Sequence, residues 1–171
     1  HMWAEKKWYG IFMGVTSILP AGLAINVLKH YNQGAFVVLY ALLLVILADS
    51  AAYFAGRSFG RRPLASKLSP KKTIEGLIGG LVVTFVFSVL GAMYFHLSVA
   101  GSAFFVVVSM ISVAFSVVGD LYISMLKRER GVKDTGKLLP GHGGILDRLD
   151  GINAAIPIFT FGLMLLTWWF V

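Results

Sequence analysis

Five long runs of apolar residues divide the chain, and each is close to the length of a membrane-spanning helix. A hydrocarbon core of roughly 30 Å requires about 20 apolar residues in an α-helix. Polar segments interrupt the runs at residues 29–34, 56–76, 98–101 and 127–153. The pattern therefore predicts five transmembrane helices, at residues 11–28, 35–55, 77–97, 102–125 and 154–171.

The composition agrees with a protein that folds in a bilayer. Hydrophobic residues make up 57% of the 171 residues and charged residues 13%, which leaves too little polar surface for a soluble globule. Cysteine is absent, so a bound metal would have to use carboxylate, carbonyl, imidazole or phosphate ligands. We expect one all-α membrane domain over residues 1–171, a polytopic bundle of about five transmembrane helices with two charged cytoplasmic loops, in which His1 and Met2 are a tag remnant.

Basic residues are concentrated on one side of this arrangement. All but one of the 15 lysine and arginine residues precede the first predicted helix or lie in the second and fourth loops, which pairs of helices separate. Because basic loops remain in the cytoplasm, both loops are predicted on the cytoplasmic side of the inner membrane. The net charge of +7 would attract anionic lipid and phosphate there, although topology selection alone also produces basic loops.

Two carboxylates, Asp49 and Asp120, lie inside the second and fourth predicted helices. Charged side chains within a membrane are costly and usually mark a functional site. Each lies seven or eight positions before a basic residue at the cytoplasmic end, so we expect both at matched depth around a water-filled cavity. The alternative is an interhelical face with protonated or lysine-paired aspartates. Residues at helical spacing in the fourth helix are expected to line the cavity: Ser109, Ser112, Ser116, Gly119, Asp120, Ile123 and Ser124.

The second loop ends in a short segment that suits either a helix cap or an anion site. Ser69, which precedes a proline, and Thr73 are both candidates for the N-cap of the third helix. Free amides at that helix start, beside Lys71 and Lys72, would suit a phosphate, although capping alone also explains the segment. Small residues at every fourth position of the third helix predict close helix packing: Gly76, Gly80, Thr84, Ser88 and Ala92.

The fourth loop mixes charges of both signs with glycines. Between Lys127 and Gly151 it holds four of the eight acidic residues. Asp147 and Asp150 are three positions apart and share one face if the entry to the fifth span is helical. With Asp120 they form an oxygen ligand set suited to Mg²⁺ that carries substrate phosphates. The alternative is a solvated charge cluster, which the regularly mixed charges, the glycines and the flanking intramembrane Asp120 fit poorly.

Three blocks of sequence together resemble the bacterial phosphatidate cytidylyltransferases, also called CDP-diacylglycerol synthases. The blocks are DSAAY with GRSFG from Asp49, SPKKTIEG from Ser69, and SMLKR, KD and LPGHGGILDRLD from Ser124 to Asp150. The resemblance covers the chain from about Asp49 to its C-terminus. Because members of that family usually have additional N-terminal spans, the chain resembles their C-terminal, catalytic part, or a shortened form of it.

The resemblance implies an enzyme of phospholipid biosynthesis that makes CDP-diacylglycerol and pyrophosphate from CTP and phosphatidic acid. The lipid phosphate would attack the α-phosphorus of CTP, with Mg²⁺ held by Asp120, Asp147 and Asp150, and a second, monovalent cation is left open. Asp49 would be a further ligand or the partner of one. Lys133 and Asp134 are also expected in catalysis. Residues expected at the substrates are Asp49, Ser69, Lys71, Lys72, Thr73, Lys127, Arg128, Lys133, His142 and Arg148, although His142 is equally well explained as a turn residue.

The expected partners are therefore CTP, phosphatidic acid and membrane lipids, with no nucleic acid and with a homodimer left open. Three other functions account for parts of the same sequence. A CDP-alcohol phosphotransferase motif also begins with Asp147 and Asp150, but its later arginine and aspartates are missing. An ion-coupled transporter would use Asp49 and Asp120 as ion sites and would leave the charged loop unexplained. The related archaeal CDP-archaeol synthases use an ether lipid, and the complete His-Gly-Gly loop favours the bacterial type.

Overall fold

The computed structural model describes residues 18–66, 68–129 and 146–170. These residues form the helices α1 (Ile18–Lys29), α2 (Gly34–Phe59), α3 (Ile74–Tyr94), α4 (Val99–Glu129) and α5 (Leu146–Phe170). Helices α2 to α5 are each long and apolar enough to cross a membrane, whereas the described part of α1 is shorter. The predicted all-α membrane bundle is confirmed, and the expected start of the first span, at residue 11, lies outside the described residues.

A row of small residues on α3 lets this helix approach α2 closely, as the four-residue spacing predicts. The whole row is buried: Gly76, Gly80, Thr84, Ser88 and Ala92. A Cβ atom at Gly76 would lie 2.6 Å from the carbonyl oxygen of Ala52, and one at Gly80 would lie 3.0 Å from that of Ala48. Helices in lipid associate largely through such close packing, because lipid tails are as apolar as their side chains. The row therefore fixes the distance between α2 and α3.

Helix α4 packs mainly against α5, and its serines belong to the packed interior. Ser109, Ser112 and Ser116 are all buried. Ser112 and Ser116 donate hydrogen bonds to backbone carbonyls of α4, and Ser109 is hydrogen-bonded to the hydroxyl of Tyr40 at 3.2 Å. The prediction that these three serines line a water-filled cavity is wrong, because small hydroxyl residues at this spacing serve close packing equally well.

Tyr40 of α2 also joins the helices through its ring. The ring stacks on Phe87 of α3, with centroids 5.0 Å apart, and contacts Phe105 of α4 at 5.1 Å and Phe159 of α5 at 5.6 Å. Aromatic pairs at these separations add to the free energy gained by burying them. This aromatic contact and the glycine contacts of α3 together hold α2 to α5 in one bundle.

The second loop contains a short antiparallel β-hairpin that was not predicted. Strand β1 (Pro63–Ala65) pairs with β2 (Ser69–Thr73), and Pro63 lies opposite Thr73. The amide of Ile74 then donates to the carbonyl of Arg62 at 3.0 Å. The hairpin thus lies directly between the end of α2 and the start of α3.

Thr73 is the residue that caps α3. Its Oγ1 atom accepts a hydrogen bond from the amide of Gly76 at 3.1 Å, and its own backbone is extended, as an N-cap requires. The alternative cap, Ser69 followed by Pro70, is wrong because pairing with β1 places both residues in β2. Both Ser69 and Thr73 fit the sequence pattern of an N-cap, and the pairing of β2 with β1 leaves Thr73 as the cap.

The charged fourth loop is shorter than predicted, because both flanking helices extend into it. Helix α4 continues to Glu129 rather than ending at residue 125, and α5 begins at Leu146 rather than at residue 154. Asp147 and Asp150 therefore lie on the first turns of a helix, which is the condition that their predicted pairing required.

We predict that Gly80→Val lowers the melting temperature of the protein in detergent. The new side chain would meet the backbone of α2, and overpacking of this kind costs about 1–3 kcal/mol. The matched control is Gly22→Val in α1, where an added Cβ meets nothing within 4 Å. Thermal unfolding followed by tryptophan fluorescence measures both, and equal melting temperatures for the two variants would contradict the packing role of Gly80.

Candidate functional site

Carboxylates from three helices meet at one end of the bundle. They are Asp49 of α2, Asp120 of α4 and Asp150 of α5, named here the carboxylate cluster. The side chains of Asp120 and Asp150 are within hydrogen-bonding reach of each other. Asp49 is close enough to Asp120 for their charges to interact, and its Oδ2 atom lies 3.7 Å from the Cβ position of Gly151. The expected matched depth of Asp49 and Asp120 thus brings both to one site.

Two lysines bring positive charge to the cluster. Lys72, at the end of β2, forms an ion pair with Oδ2 of Asp120 and is near enough to Asp49 to interact with its charge. Lys127, about two helical turns after Asp120, interacts electrostatically with Asp150. The side chains of Lys72 and Asp120 are 28% and 31% exposed, so a ligand from solvent can reach this pair. The sequence left open that Asp120 is paired with a lysine, and the structure shows this ion pair as part of a larger group of charged residues.

Glycines beside the aspartates allow α4 and α5 to approach each other here. A Cβ atom at Gly119 would lie 2.4 Å from Cβ of Ala154 and 3.1 Å from the carbonyl oxygen of Asp150. Since aspartate has a short side chain, Asp120 and Asp150 can meet only if their backbones come this close. A side chain larger than that of glycine at position 119 would therefore push α4 and α5 apart and separate the two carboxylates.

Further hydrogen bonds orient the two adjoining carboxylates. Ser124 donates to Oδ1 of Asp120 at 3.4 Å, one helical turn along α4. The amide of Gly151 donates to Oδ1 of Asp150 at 2.8 Å. Each carboxylate thus has a local donor on its own helix, and the ion pair with Lys72 engages the other oxygen of Asp120.

The other predicted site residues fall into two groups. Lys133, Asp134 and His142 lie outside the described residues, as do the side chains of Asp147 and Arg148, whose backbones lie in the first turn of α5.

The second group is described but stands apart from the carboxylate cluster. Ser69 and Lys71 lie on β2, and Arg128 lies near the end of α4. Within the described ranges these three form no hydrogen bond or ion pair with the cluster. Thr73 uses its hydroxyl oxygen to cap α3. Among the described lysines predicted at substrate phosphates, Lys72 and Lys127 are the two that interact with the carboxylates.

The described carboxylates fit a magnesium ion whose remaining ligands come from outside this donor set. Asp120 and Asp150 present two adjoining carboxylates, whose mutual repulsion a cation would relieve. Among the described residues no group of three or more acidic or histidine side chains is arranged to hold a metal ion. Protein sites for Mg²⁺ commonly supply only one or two carboxylates, with water and substrate phosphates completing the coordination. Asp120 and Asp150 meet this requirement, and Asp147 lies three residues before Asp150 on the same helix.

A second feature, where α2 meets the hairpin, was not predicted from the sequence. Glu75, in the first turn of α3, accepts hydrogen bonds at Oε2 from the amides of Arg61 and Arg62, at 3.0 and 3.2 Å. The carboxylate lies in an open cleft of about 430 Å³, which is also lined by Ser58, Phe59 and Gly60. A glutamate in the first helical turn after a threonine cap is ordinary in sequence, so only the fold reveals that this one binds a distant segment.

Comparison with known proteins identifies the family. The chain matches the sequence model of the Cytidylyltransferase family over residues 3–166. A phosphatidate cytidylyltransferase of Haemophilus influenzae is 42% identical, with 93% of this chain and 58% of the relative covered. Those of Pseudomonas aeruginosa and Bacillus subtilis are 38% and 37% identical, with 95% and 90% of this chain and 60% of each relative covered. The chain thus spans about three fifths of the length of these curated relatives.

A solved structure supports the same assignment at the level of the fold. It is described as "Structural insight into an intramembrane enzyme for archaeal membrane lipids biosynthesis" and is 26% identical in sequence. The TM-score is 0.54, with 73% of this chain and 76% of that chain covered. The sequence match extends over nearly the whole chain, and the membrane bundle is shared with this structure. The chain therefore belongs to the Cytidylyltransferase family.

Proposed function

We propose that this chain is the catalytic part of a phosphatidate cytidylyltransferase, which converts CTP and phosphatidic acid into CDP-diacylglycerol and pyrophosphate. The observation that carries the proposal is the convergence of Asp49, Asp120 and Asp150 with Lys72 at the hairpin end of a membrane bundle. The relatives at 37–42% identity that are named phosphatidate cytidylyltransferase favour this reaction over others of the family.

The proposed orientation places the cluster at the cytoplasmic face of the inner membrane. The end of α2, the hairpin and the end of α4 all carry basic residues, and the positive-inside rule assigns such segments to the cytoplasm. Tyr53 and Phe54, both largely exposed, lie in α2 just before Arg57, and aromatic residues are enriched at the membrane interface. In this orientation CTP reaches the cluster from the cytoplasm, and the lipid reaches it from the membrane with its acyl chains in hydrocarbon.

The chemistry requires positioning and charge neutralisation more than a base. A phosphomonoester has a second pKa of about 6, so the lipid phosphate is largely a dianion at pH 7. One of its oxygens forms a bond to the α-phosphorus of CTP while the bond to the β-phosphate oxygen breaks, and pyrophosphate leaves. Mg²⁺, when bound by Asp120, Asp147 and Asp150, supplies positive charge at the reacting phosphates.

The lysines of the cluster would hold the anionic substrates in place. Lys72 is oriented by Asp120 and Asp49, and Lys127 by Asp150, so both ammonium groups lie where a phosphate bound at the carboxylates would be within reach. Asp49 acts in this scheme on Lys72 rather than on a substrate directly. The remaining predicted residues are assigned to the nucleotide or the lipid headgroup: Ser69, Lys71, Thr73, Arg128, Lys133, Asp134, His142 and Arg148.

An ether-lipid acceptor is the second candidate substrate, since the solved structure that this fold resembles is an enzyme for archaeal membrane lipids. The higher identity to the bacterial relatives favours phosphatidic acid. A homodimer and the absence of a nucleic-acid partner remain predictions.

A direct assay tests the proposed reaction. The purified protein, in detergent with labelled CTP and Mg²⁺, is offered phosphatidic acid or an ether-linked analogue, and a lipid-soluble cytidine product is sought. Product with phosphatidic acid is expected. Absence of both this product and Mg²⁺-dependent CTP binding by calorimetry would overturn the proposal, and product with the ether lipid alone would select the second candidate.

We predict that Asp150→Asn and Asp147→Asn each lower Mg²⁺-dependent transfer of CMP by about 100-fold or more, because loss of one group that stabilises transition-state charge commonly costs that much. The matched control is Glu129→Gln, which removes a negative charge near the end of α4 at a residue with no proposed role. Near-normal turnover of an aspartate variant would remove that residue from the mechanism.

We predict that Lys72→Ala lowers kcat/KM much more than Lys71→Ala does. Lys72 is paired with Asp120, whereas Lys71 is exposed on β2 and contributes to the general positive field. The expected losses are about 100-fold for Lys72→Ala and less than about tenfold for Lys71→Ala, with the smaller loss reduced further by salt. Steady-state kinetics at two ionic strengths distinguish the variants, and equal losses would contradict the special role of Lys72.

A further inference from the structure

The segment that joins α2 to the hairpin is held by one carboxylate. Oε2 of Glu75 accepts hydrogen bonds from the amides of Arg61 and Arg62, at 3.0 and 3.2 Å. These two residues follow the end of α2 and immediately precede β1. A single side chain at the start of α3 therefore fixes the path by which the chain enters the hairpin, from a residue that is 13 and 14 positions away in sequence.

Backbone contacts transmit this constraint to Lys72. The carbonyl of Arg62 accepts from the amide of Ile74 at 3.0 Å, and the next residue, Pro63, is paired with Thr73. Lys72 immediately precedes Thr73 on the same strand, and its ammonium group pairs with Asp120. Backbone contacts therefore connect the Arg61–Arg62 turn to the strand that carries Lys72. The side chain of Lys72 makes the last contact, with Asp120.

Close contacts at Thr73 restrict movement of the hairpin relative to α2. A Cβ atom at Gly56 would lie 2.8 Å from Oγ1 of Thr73, and one at Gly60 would lie 2.8 Å from its Cγ2. Glycine at both positions lets the end of α2 lie directly against the cap of α3. The Glu75 carboxylate adds a further contact at this junction through the amides of Arg61 and Arg62.

The hairpin needs an external clamp because it is small. Its strands comprise 3 and 5 residues, and their pairing is irregular between Pro63 and Ala65. An isolated two-stranded hairpin is marginally stable at best in water. Lys72 has a long, flexible side chain, and the entropy lost on fixing it weakens its ion pair unless the backbone is already in place.

We propose that Glu75 is a positioning residue for the proposed cytidylyl transfer. It does not touch the substrates. It holds the Arg61–Arg62 turn so that the hairpin presents Lys72 to Asp120. The inference rests on the proposed function for its effect on turnover, whereas the clamp itself is a structural statement that can be tested without any activity.

Substitutions at Glu75 separate clamping from a direct chemical role. Glu75→Ala removes both hydrogen bonds and is expected to lower kcat/KM about tenfold, because water restores only part of the hold on the Arg61–Arg62 turn. Glu75→Gln keeps an oxygen that accepts the same two hydrogens and should retain most activity. The control Ser58→Ala, in the same cleft, should behave as wild type. Glu75→Gln as weak as Glu75→Ala, or Glu75→Ala with full activity, would overturn the proposal.

A double-mutant cycle tests whether Glu75 acts through Lys72. In the Lys72→Ala background, Glu75→Ala should lower kcat/KM by less than about twofold, because the residue that it positions is already gone. A merely structural role would give the same factor in both backgrounds, and that result would contradict the proposal. Melting temperatures of all variants show whether general instability contributes.

Amide hydrogen exchange tests the clamp independently of catalysis. In Glu75→Ala the amides of Arg61, Arg62 and Ile74 should exchange faster, whereas in Glu75→Gln they should stay protected. Unchanged protection in Glu75→Ala would overturn the inference even if the enzyme makes CDP-diacylglycerol. If Glu75→Ala loses protection but the unsubstituted protein transfers no CMP, the clamp is supported and only the proposed function is overturned.

Discussion

The ion pair between Lys72 and Asp120 is the interaction on which the site depends. Three carboxylates at the end of an apolar bundle repel one another, and removing each from water costs several kcal/mol unless opposite charge is nearby. Lys72 supplies this charge from β2, outside the bundle helices. The pair therefore stabilises the carboxylate cluster and also joins α4 to the segment between α2 and α3. The hairpin, which has little core of its own, is held by this ion pair, by the packing of Thr73 against α2 and by the hydrogen bonds of Glu75 to the Arg61–Arg62 turn.

Helix spacing sets the geometry that makes the ion pair and the cluster possible. Gly76 and Gly80 bring α3 against α2, and Gly119 brings α4 against α5. Glycine in a helix costs roughly 1 kcal/mol relative to alanine, so its use at these contacts reflects the gain from close packing. Aspartate reaches only a short distance from its backbone. The positions of the carboxylates are thus decided by residues that carry no functional group.

Features that depend on hydropathy and charge could be predicted from the sequence. Features could not be predicted where the same sequence pattern is compatible with two different structures. The spans and the common depth of Asp49 and Asp120 follow from apolar run length and helical rise. Ser109, Ser112 and Ser116 have a spacing that fits a cavity lining and a packing face equally well, and only the packing of the neighbouring helices decides between them. The β-hairpin is too short for strand periodicity to appear. The first turns of α5 were predicted as loop because the charged residues of the site lower their hydropathy.

The net charge of the carboxylate cluster and its two lysines explains why the proposed enzyme would need a magnesium ion. When the three carboxylates of the cluster are ionised, they outnumber Lys72 and Lys127, the two lysines that interact with them, so the site itself does not favour a triphosphate. A divalent cation would reverse this sign, and the adjoining carboxylates of Asp120 and Asp150 would be its ligands in our proposal. The same cation would weaken the hold of Asp120 on Lys72, which frees an ammonium group beside the bound phosphates. In that proposal, the ion pair of Asp120 with Lys72 and its binding of a metal ion would be two states of one site.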